Sequence, residues 1–172
     1  MITVVDVETS WQVTDTGGYD PSPYHPDNIL VSVGINDEYY FTNHSERIDD
    51  GCYHNIQSIL DKTTLLVGHN IKFDLMWLIE AGFKYTGKVY DTMLGEYILN
   101  RGIRKSLTLE MSCRRRRIGS KDNRIKEFTD RGIPFQNIPA NVVEEYGRMD
   151  VQITRDLFNS QMADFRMPKN KH

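Results

Sequence analysis

Apolar positions cluster early in the chain and recur at helical spacing later. Ile2-Thr3-Val4-Val5-Asp6-Val7 is almost wholly β-branched and apolar and predicts a buried strand. Residues 11–28 carry Gly17, Gly18, Pro21, Pro23 and Pro26 and predict one long loop. Ile29 to Ile35 and Tyr39 to Thr42 form a predicted hairpin that turns near Asn36-Asp37. Tyr53 to Leu60 predicts a helix and Thr64 to Val67 a short buried strand. Asn70 to Ala81 predicts a helix stopped by Gly82. Val89-Tyr90 is a short extended piece, followed by a helix from about Asp91 to Asn100. Leu107 to Cys113 reads as helical, and Arg114-Arg115-Arg116-Arg117 with a glycine-containing stretch follows it. A last helix runs from about Pro139 to about Phe165, with an expected apolar stripe of Val142, Tyr146, Met149, Ile153 and Leu157. Strands first and alternating helices later predict an α/β chain, a mixed sheet with helices packed on it.

The 172 residues are one domain's worth, and no repeat, low-complexity tract or Gly/Ser/Pro linker divides them, so the expectation is a single domain over 1–172. No apolar run approaches the roughly 18 residues of a membrane-spanning helix. The start lacks the basic and apolar regions of a signal peptide. Cys52 and Cys113 are too few for a disulfide scaffold, and a reducing cytoplasm is the simplest expectation. The net charge of -3 conceals an asymmetry: residues 101–131 hold eleven basic and four acidic side chains, and the remainder ten basic and twenty acidic. An acidic body with one basic segment suits a protein that holds cations in one place and a polyanion beside it, although a solvated basic face gives the same pattern.

Three places along the chain carry candidate chemistry. Asp6 and Glu8 are two apart in a strand and so point to one face. Two adjacent like charges are costly unless a cation lies between them, and a hard divalent ion with oxygen ligands resolves the repulsion; a strand end running into solvent is the alternative. Asp74 sits in Gly68-His69-Asn70-Ile71-Lys72-Phe73-Asp74-Leu75-Met76-Trp77-Leu78-Ile79, a helix apolar on nearly every side. A carboxylate there needs a cation, a proton or a partner, Lys72 among the choices. Asp150 follows Tyr146 by four residues, so phenol and carboxylate are neighbours on one helix face.

In order, Asp6-Val7-Glu8, Asn70-Ile71-Lys72-Phe73-Asp74 and Tyr146-x-x-x-Asp150 resemble the three motifs of the DEDD exonucleases, in the branch marked by a tyrosine, DEDDy. Residues 68–74 and Asp91-Thr92-Met93-Leu94-Gly95-Glu96-Tyr97-Ile98-Leu99-Asn100 are similar to segments of the proofreading domain of family A, polymerase I-like DNA polymerases. Pro23-Tyr24-His25-Pro26-Asp27-Asn28 before a strand is similar to phage members. The likeness covers about residues 1–160.

That resemblance implies a ribonuclease H-like mixed five-stranded sheet flanked by helices. It implies a 3′–5′ exonuclease that releases nucleoside 5′-monophosphates from DNA, with two divalent ions, Mg²⁺ or Mn²⁺. Carried over by position, Asp6, Glu8 and Asp150 ligate the tighter ion, Asp6 bridges to the second, and Asp74 holds the second through water. Tyr146 and Glu8 orient the attacking water. Thr9, Asn70 and Phe73 are the candidates for contact with the terminal nucleotide. Arg114, Arg115, Arg116 and Arg117 are the candidates for phosphate contacts, or else an exposed loop. The expected partner is the 3′ end of single-stranded DNA, with RNA as an alternative and a separate DNA polymerase as a companion, in a bacterial or phage-infected cytoplasm. An excised domain and a stand-alone nuclease both fit the absence of polymerase sequence after residue 172. The rivals are an RNase D-like exoribonuclease, which shares the same four acids and tyrosine, and a non-catalytic nucleic-acid or polymerase-binding module, whose mark is a lost acid. His69, beside Asn70, could touch substrate or be structural.

Overall fold

The first strand, β1 (Ile2–Thr9), lies at the centre of a five-stranded sheet in the computed structural model, which describes residues 1–119 and 124–166. The sheet order is β5 (Glu38–Phe41), β4 (Leu30–Ile35), β1, β6 (Leu65–Gly68), β7 (Lys88–Asp91). β1, β4 and β5 are antiparallel neighbours, whereas β6 and β7 run parallel to β1. The sheet is therefore mixed, five-stranded and flanked by helices, as expected of the ribonuclease H-like fold. Both faces of β1 are covered, which is why its sequence is apolar on consecutive positions rather than alternating.

Side-chain parity on β1 sorts the molecule into two layers. Val5 and Val7 point into the larger core with Val33, Ile35 and Leu66. Helices α1 (Cys52–Lys62) and α2 (Ile71–Glu80) close that side with Ile56, Leu60, Trp77 and Leu78. Val4 points the other way, onto Val67, Val151 and Phe158, the latter two from the long helix α6 (Ala140–Arg166). Asp6 and Glu8 share the parity of Val4 and so face α6. Three shorter helices, α3 (Thr92–Leu99), α4 (Leu109–Arg116) and α5 (Arg124–Thr129), and a 3₁₀ turn at Phe135–Asn137 complete the described chain.

Three expectations need correction. Residues 11–28 are not one loop: β2 (Gln12–Val13) and β3 (Tyr19–Asp20) pair as a small hairpin around Gly17. Two-residue strands give no periodicity to detect. The buried stripe of α6 is Val143, Gly147, Asp150, Val151, Thr154, Leu157, Phe158 and Gln161, together with Ile153; Met149 is exposed. Ile153 and Leu157 of the expected stripe are buried, whereas over the first turns the buried face runs through Val143, Gly147 and Asp150, one position later than Val142, Tyr146 and Met149, because small and polar residues form part of it. Finally, Arg114, Arg115 and Arg116 end α4, and Arg117 caps it in the left-handed conformation, so the run is helix terminus and not a loop.

Candidate active site

The site is assembled where β1 outruns its parallel neighbour. The β1–β6 ladder ends at Val4 and Val67, while β1 continues to Thr9 alongside β4. Beyond that point the Val7 N–H has no β6 partner and is accepted by Asp74 Oδ1 at 3.1 Å. Asn70 makes this possible. It adopts the left-handed conformation (φ 64) between β6 and α2, a conformation asparagine tolerates better than most residues, and its N–H is held by Asp91 Oδ1 at 2.9 Å. The tight turn aims the first turn of α2 at β1. Asp74 is only 3% exposed, and Lys72 is on the exposed side of the helix. Burial first, and the nearby Asp91 charge after it, push the Asp74 carboxyl up to about 8, against the lowering effect of the Val7 N–H and its own backbone N–H.

From the other layer, α6 delivers Tyr146 and Asp150. Two close approaches bring it down onto the sheet. Gly147 packs against the hydroxyl end of the Tyr39 ring with no room for a Cβ, and a side chain at Gly34 would meet Val151 at 2.8 Å. The Tyr39 hydroxyl shares a hydrogen bond of 2.8 Å with Ser32 and donates to the Val143 carbonyl at 3.3 Å, tying β4 to the first turns of α6. Ser32 is the register partner of Glu8, so this tether sits directly beside the acidic pair.

Asp6, Glu8 and Asp150 come together: each offers a carboxylate oxygen, and these oxygens all lie within 4.8 Å of one another. Glu8 and Asp150 are buried and Asp6 half-buried. Three carboxylates packed this tightly in a low-dielectric surround form an all-oxygen donor set with the charge of a hard divalent cation's partner. Tyr146 borders them. Its hydroxyl is driven far above the ordinary phenol range, by burial first and then by the negative charges of Glu8, Asp150 and Asp6. It is therefore a protonated, hydrogen-bonding group at any working pH.

The remaining candidates divide. Thr9 is buried at the end of β1 and Asn70 is the turn residue described above. Phe73 is half-buried against the larger core. The four arginines expected at phosphates fall into two pairs. Arg115 and Arg116 turn inward and pair with Glu96, which is 2% exposed. Arg115 also donates to the Ser106 carbonyl at 2.6 Å, and Arg116 to Ser160 and Asp164 at 3.0 and 2.6 Å. Arg114 and Arg117 are exposed. His69 is structural: its ring nitrogens are bonded to the Thr92 hydroxyl and the Leu107 carbonyl, each at 2.8 Å.

One group of residues escaped the sequence. Trp11, Tyr19 and Phe135 form a chain of edge-on rings, with Trp11–Tyr19 centroids 5.6 Å apart and Trp11–Phe135 5.9 Å apart. Phe135 then meets Tyr146 at 6.1 Å. Trp11 stands three residues after Glu8, a large aromatic in a segment rich in Gly and Pro, and that was the available signal.

Comparison with known proteins bears on the fold and the family. No curated protein matches the chain in sequence. Among solved structures, one described as the apo form of a nuclease superposes with a TM-score of 0.64 at 15% identity, over 96% of this chain and 75% of that one. NrnC of Brucella melitensis superposes with a TM-score of 0.57 at 16% identity, and NrnC with bound Mg²⁺ with 0.56 at 17%; each covers 96% of this chain and 76% of the other. These likenesses establish the fold. The model of a protein family described as 3′-5′ exonuclease matches residues 14–163, a span that includes Asp74, Tyr146 and Asp150. With most of its length matched, the chain belongs to the 3′–5′ exonuclease family.

Proposed function

We propose that the chain hydrolyses single-stranded DNA from its 3′ end, releasing nucleoside 5′-monophosphates, with Asp6, Glu8, Asp150 and Asp74 as the ligands of two divalent cations, Mg²⁺ or Mn²⁺. The observation that carries this reading is the convergence of Asp6, Glu8 and Asp150 within 4.8 Å, with the Tyr146 phenol beside them. The Mg²⁺ bound to the NrnC neighbour of the same fold supports the choice of ion. Bound cations supply the positive charge that stabilises the attacking and leaving oxygens of an in-line displacement.

The protein's own groups do the rest. Asp6, Glu8 and Asp150 reach the end of β1 from two elements and hold charge there. Asp74, pinned to the Val7 N–H, keeps one oxygen in a fixed place and favours its ionised form when a cation offsets its burial. Glu8 and the protonated Tyr146 hydroxyl orient a water for attack on the terminal phosphodiester. The water oxygen bonds to phosphorus, the bond to the 3′ oxygen of the preceding nucleotide breaks, and that oxygen leaves as the new 3′ hydroxyl. DNA is preferred over RNA because residues 68–74 and 91–100 resemble a DNA-proofreading domain.

Matched DNA and RNA oligonucleotides labelled at the 5′ end, incubated with Mg²⁺, Mn²⁺ or chelator, test the reading. A metal-dependent shortening ladder on DNA is expected. A ladder on RNA alone replaces the substrate assignment with an exoribonuclease, and no ladder on either replaces it with a binding module.

A further inference from the structure

A cleft of about 460 Å³ is lined by Trp11, Tyr19 and Pro21 from the β2–β3 segment and by Thr129 and Asp130 from the end of α5. We propose that this cleft is a nucleobase pocket that selects guanine by its donor-rich edge; the inference rests on the nuclease reading above and names which base the site favours.

Position comes first. Trp11 is three residues beyond Glu8, so the two Cα atoms are at most about 11 Å apart along the chain. Phe135 touches both Trp11 and the catalytic candidate Tyr146, so the cleft begins two ring widths from the reacting phosphate's place. This opening is within a nucleotide's reach of a strand whose 3′ end lies at the carboxylates.

Chemistry comes second. Trp11 and the exposed Tyr19 offer aromatic surface in an otherwise polar region, and aromatic rings hold single-stranded bases through their π-faces regardless of sequence. The opposite wall is not neutral. The Thr129 hydroxyl donates to the Lys126 carbonyl at 3.3 Å, which engages its proton and leaves it to act as an acceptor, and the exposed Asp130 carboxylate is acceptor-only. A wall of acceptors reads a base edge made of donors. Guanine presents N1–H and N2–H₂ side by side, which match the two oxygens of a carboxylate as a guanidinium does. Thymine and uracil present one N–H between two carbonyls, which repel the carboxylate. This edge is the same in DNA and RNA, so the selection is independent of the sugar.

The test uses 5′-fluorescein-labelled dT8 and three variants with one dG at the last, second-last or third-last position. Binding is read by anisotropy in chelator. At one of the three positions dG should tighten binding about tenfold over dT8. Deoxyinosine at that position, which lacks the N2 amine, should forfeit most of the gain. Asp130→Asn, at an exposed position that leaves the fold intact, should bring dG and dT within twofold of each other. Trp11→Ala should weaken every oligonucleotide alike. No discrimination at any position, or discrimination retained in Asp130→Asn, overturns the pocket. The same preparation is assayed with Mn²⁺ for a cleavage ladder. A ladder without discrimination overturns the pocket and leaves the nuclease reading standing, whereas discrimination without a ladder supports the pocket and overturns hydrolysis.

Discussion

At Tyr146 two possible roles coincide, since its ring packs toward the small core of Tyr39, Phe41 and Ile138 while its hydroxyl borders Glu8 and Asp150. Tyr146→Phe separates them. The ring is conserved nearly in volume, so stability should change little. The lost hydroxyl should slow single-turnover cleavage at saturating Mg²⁺ by about 10- to 100-fold, the worth of one positioned hydrogen bond of ~1.4–2.7 kcal/mol. Wild-type rates in that assay would make the phenol structural. Asp6 provides the complementary experiment. It is one of three mutually repelling carboxylates, so Asp6→Ala should abolish cleavage in a protein that remains folded and is no less stable without metal. Millimolar Mn²⁺ should raise the melting temperature of the unmutated protein, because only the native state gathers these ligands. Asp6→Ala should lose most of that rise. An activity that survives the substitution, with melting indifferent to metal, would remove the carboxylates from the chemistry.

The decisive element is α6, and what places it is the absence of a side chain. Gly147 lets the helix rest on the Tyr39 ring, and a Cβ there would lie closer to the ring than side-chain atoms approach one another. Gly147→Ala should lift the helix or tilt the ring, costing about 1–3 kcal/mol of stability as overpacking does. It should also reduce cleavage, because Tyr146 and Asp150 move with the backbone; thermal melting and the ladder assay on one preparation check both. A stable, fully active Gly147→Ala protein would show that the sheet yields instead. This element also shows how far sequence reasoning reaches. The central strand, the β4–β5 hairpin, most of the helices and the pairing of Tyr146 with Asp150 follow from spacing and apolar pattern, whereas α5 (Arg124–Thr129) does not. Burial of Asp74 was legible because its helix is apolar all round. The rotation of the first turns of α6 was not, since Gly147, Asp150, Thr154 and Gln161 are four of its nine buried residues and carry no hydrophobic signal. The aromatic chain from Trp11 to Phe135 was hidden for another reason: its members lie 124 positions apart and meet only once the hairpin and the 3₁₀ turn fold over the end of β1.

Charge organises the whole molecule, and it does so in two ways within a single run of arginines. Glu96 is buried by α3, α4 and α6 together, and Arg116, Gln161 and Arg115 bind it. Burial raises its carboxyl, but those partners outweigh burial and hold it below its ordinary value of 4.5. A folded-state value below the unfolded one contributes stability above the unfolded value and loses it as pH falls. Glu96→Gln should therefore melt lower at pH 7, and the gap to the unmutated protein should close as pH falls below the ordinary carboxylate range; a constant gap would remove the carboxylate's charge from the account. Arg116→Ala should cost about 3–5 kcal/mol by leaving a buried carboxylate underpaired. Arg114 and Arg117, in contrast, are exposed at the same helix end and are available to a polyanion. The two pairs must then respond oppositely. Arg114→Ala with Arg117→Ala should leave the melting temperature within a few degrees of the unmutated value. It should reduce the log–log salt slope of single-stranded DNA binding by roughly 0.7 for each phosphate that the protein no longer neutralises. Turnover at saturating DNA should hold, because only binding shared by ground and transition states is removed. Arg115→Ala with Arg116→Ala should lower the melting temperature and leave the slope of the protein that remains folded unchanged. An unaltered slope in the first variant would mean that this basic terminus meets no phosphate, and that the +7 balance of residues 101–131 acts through its other side chains.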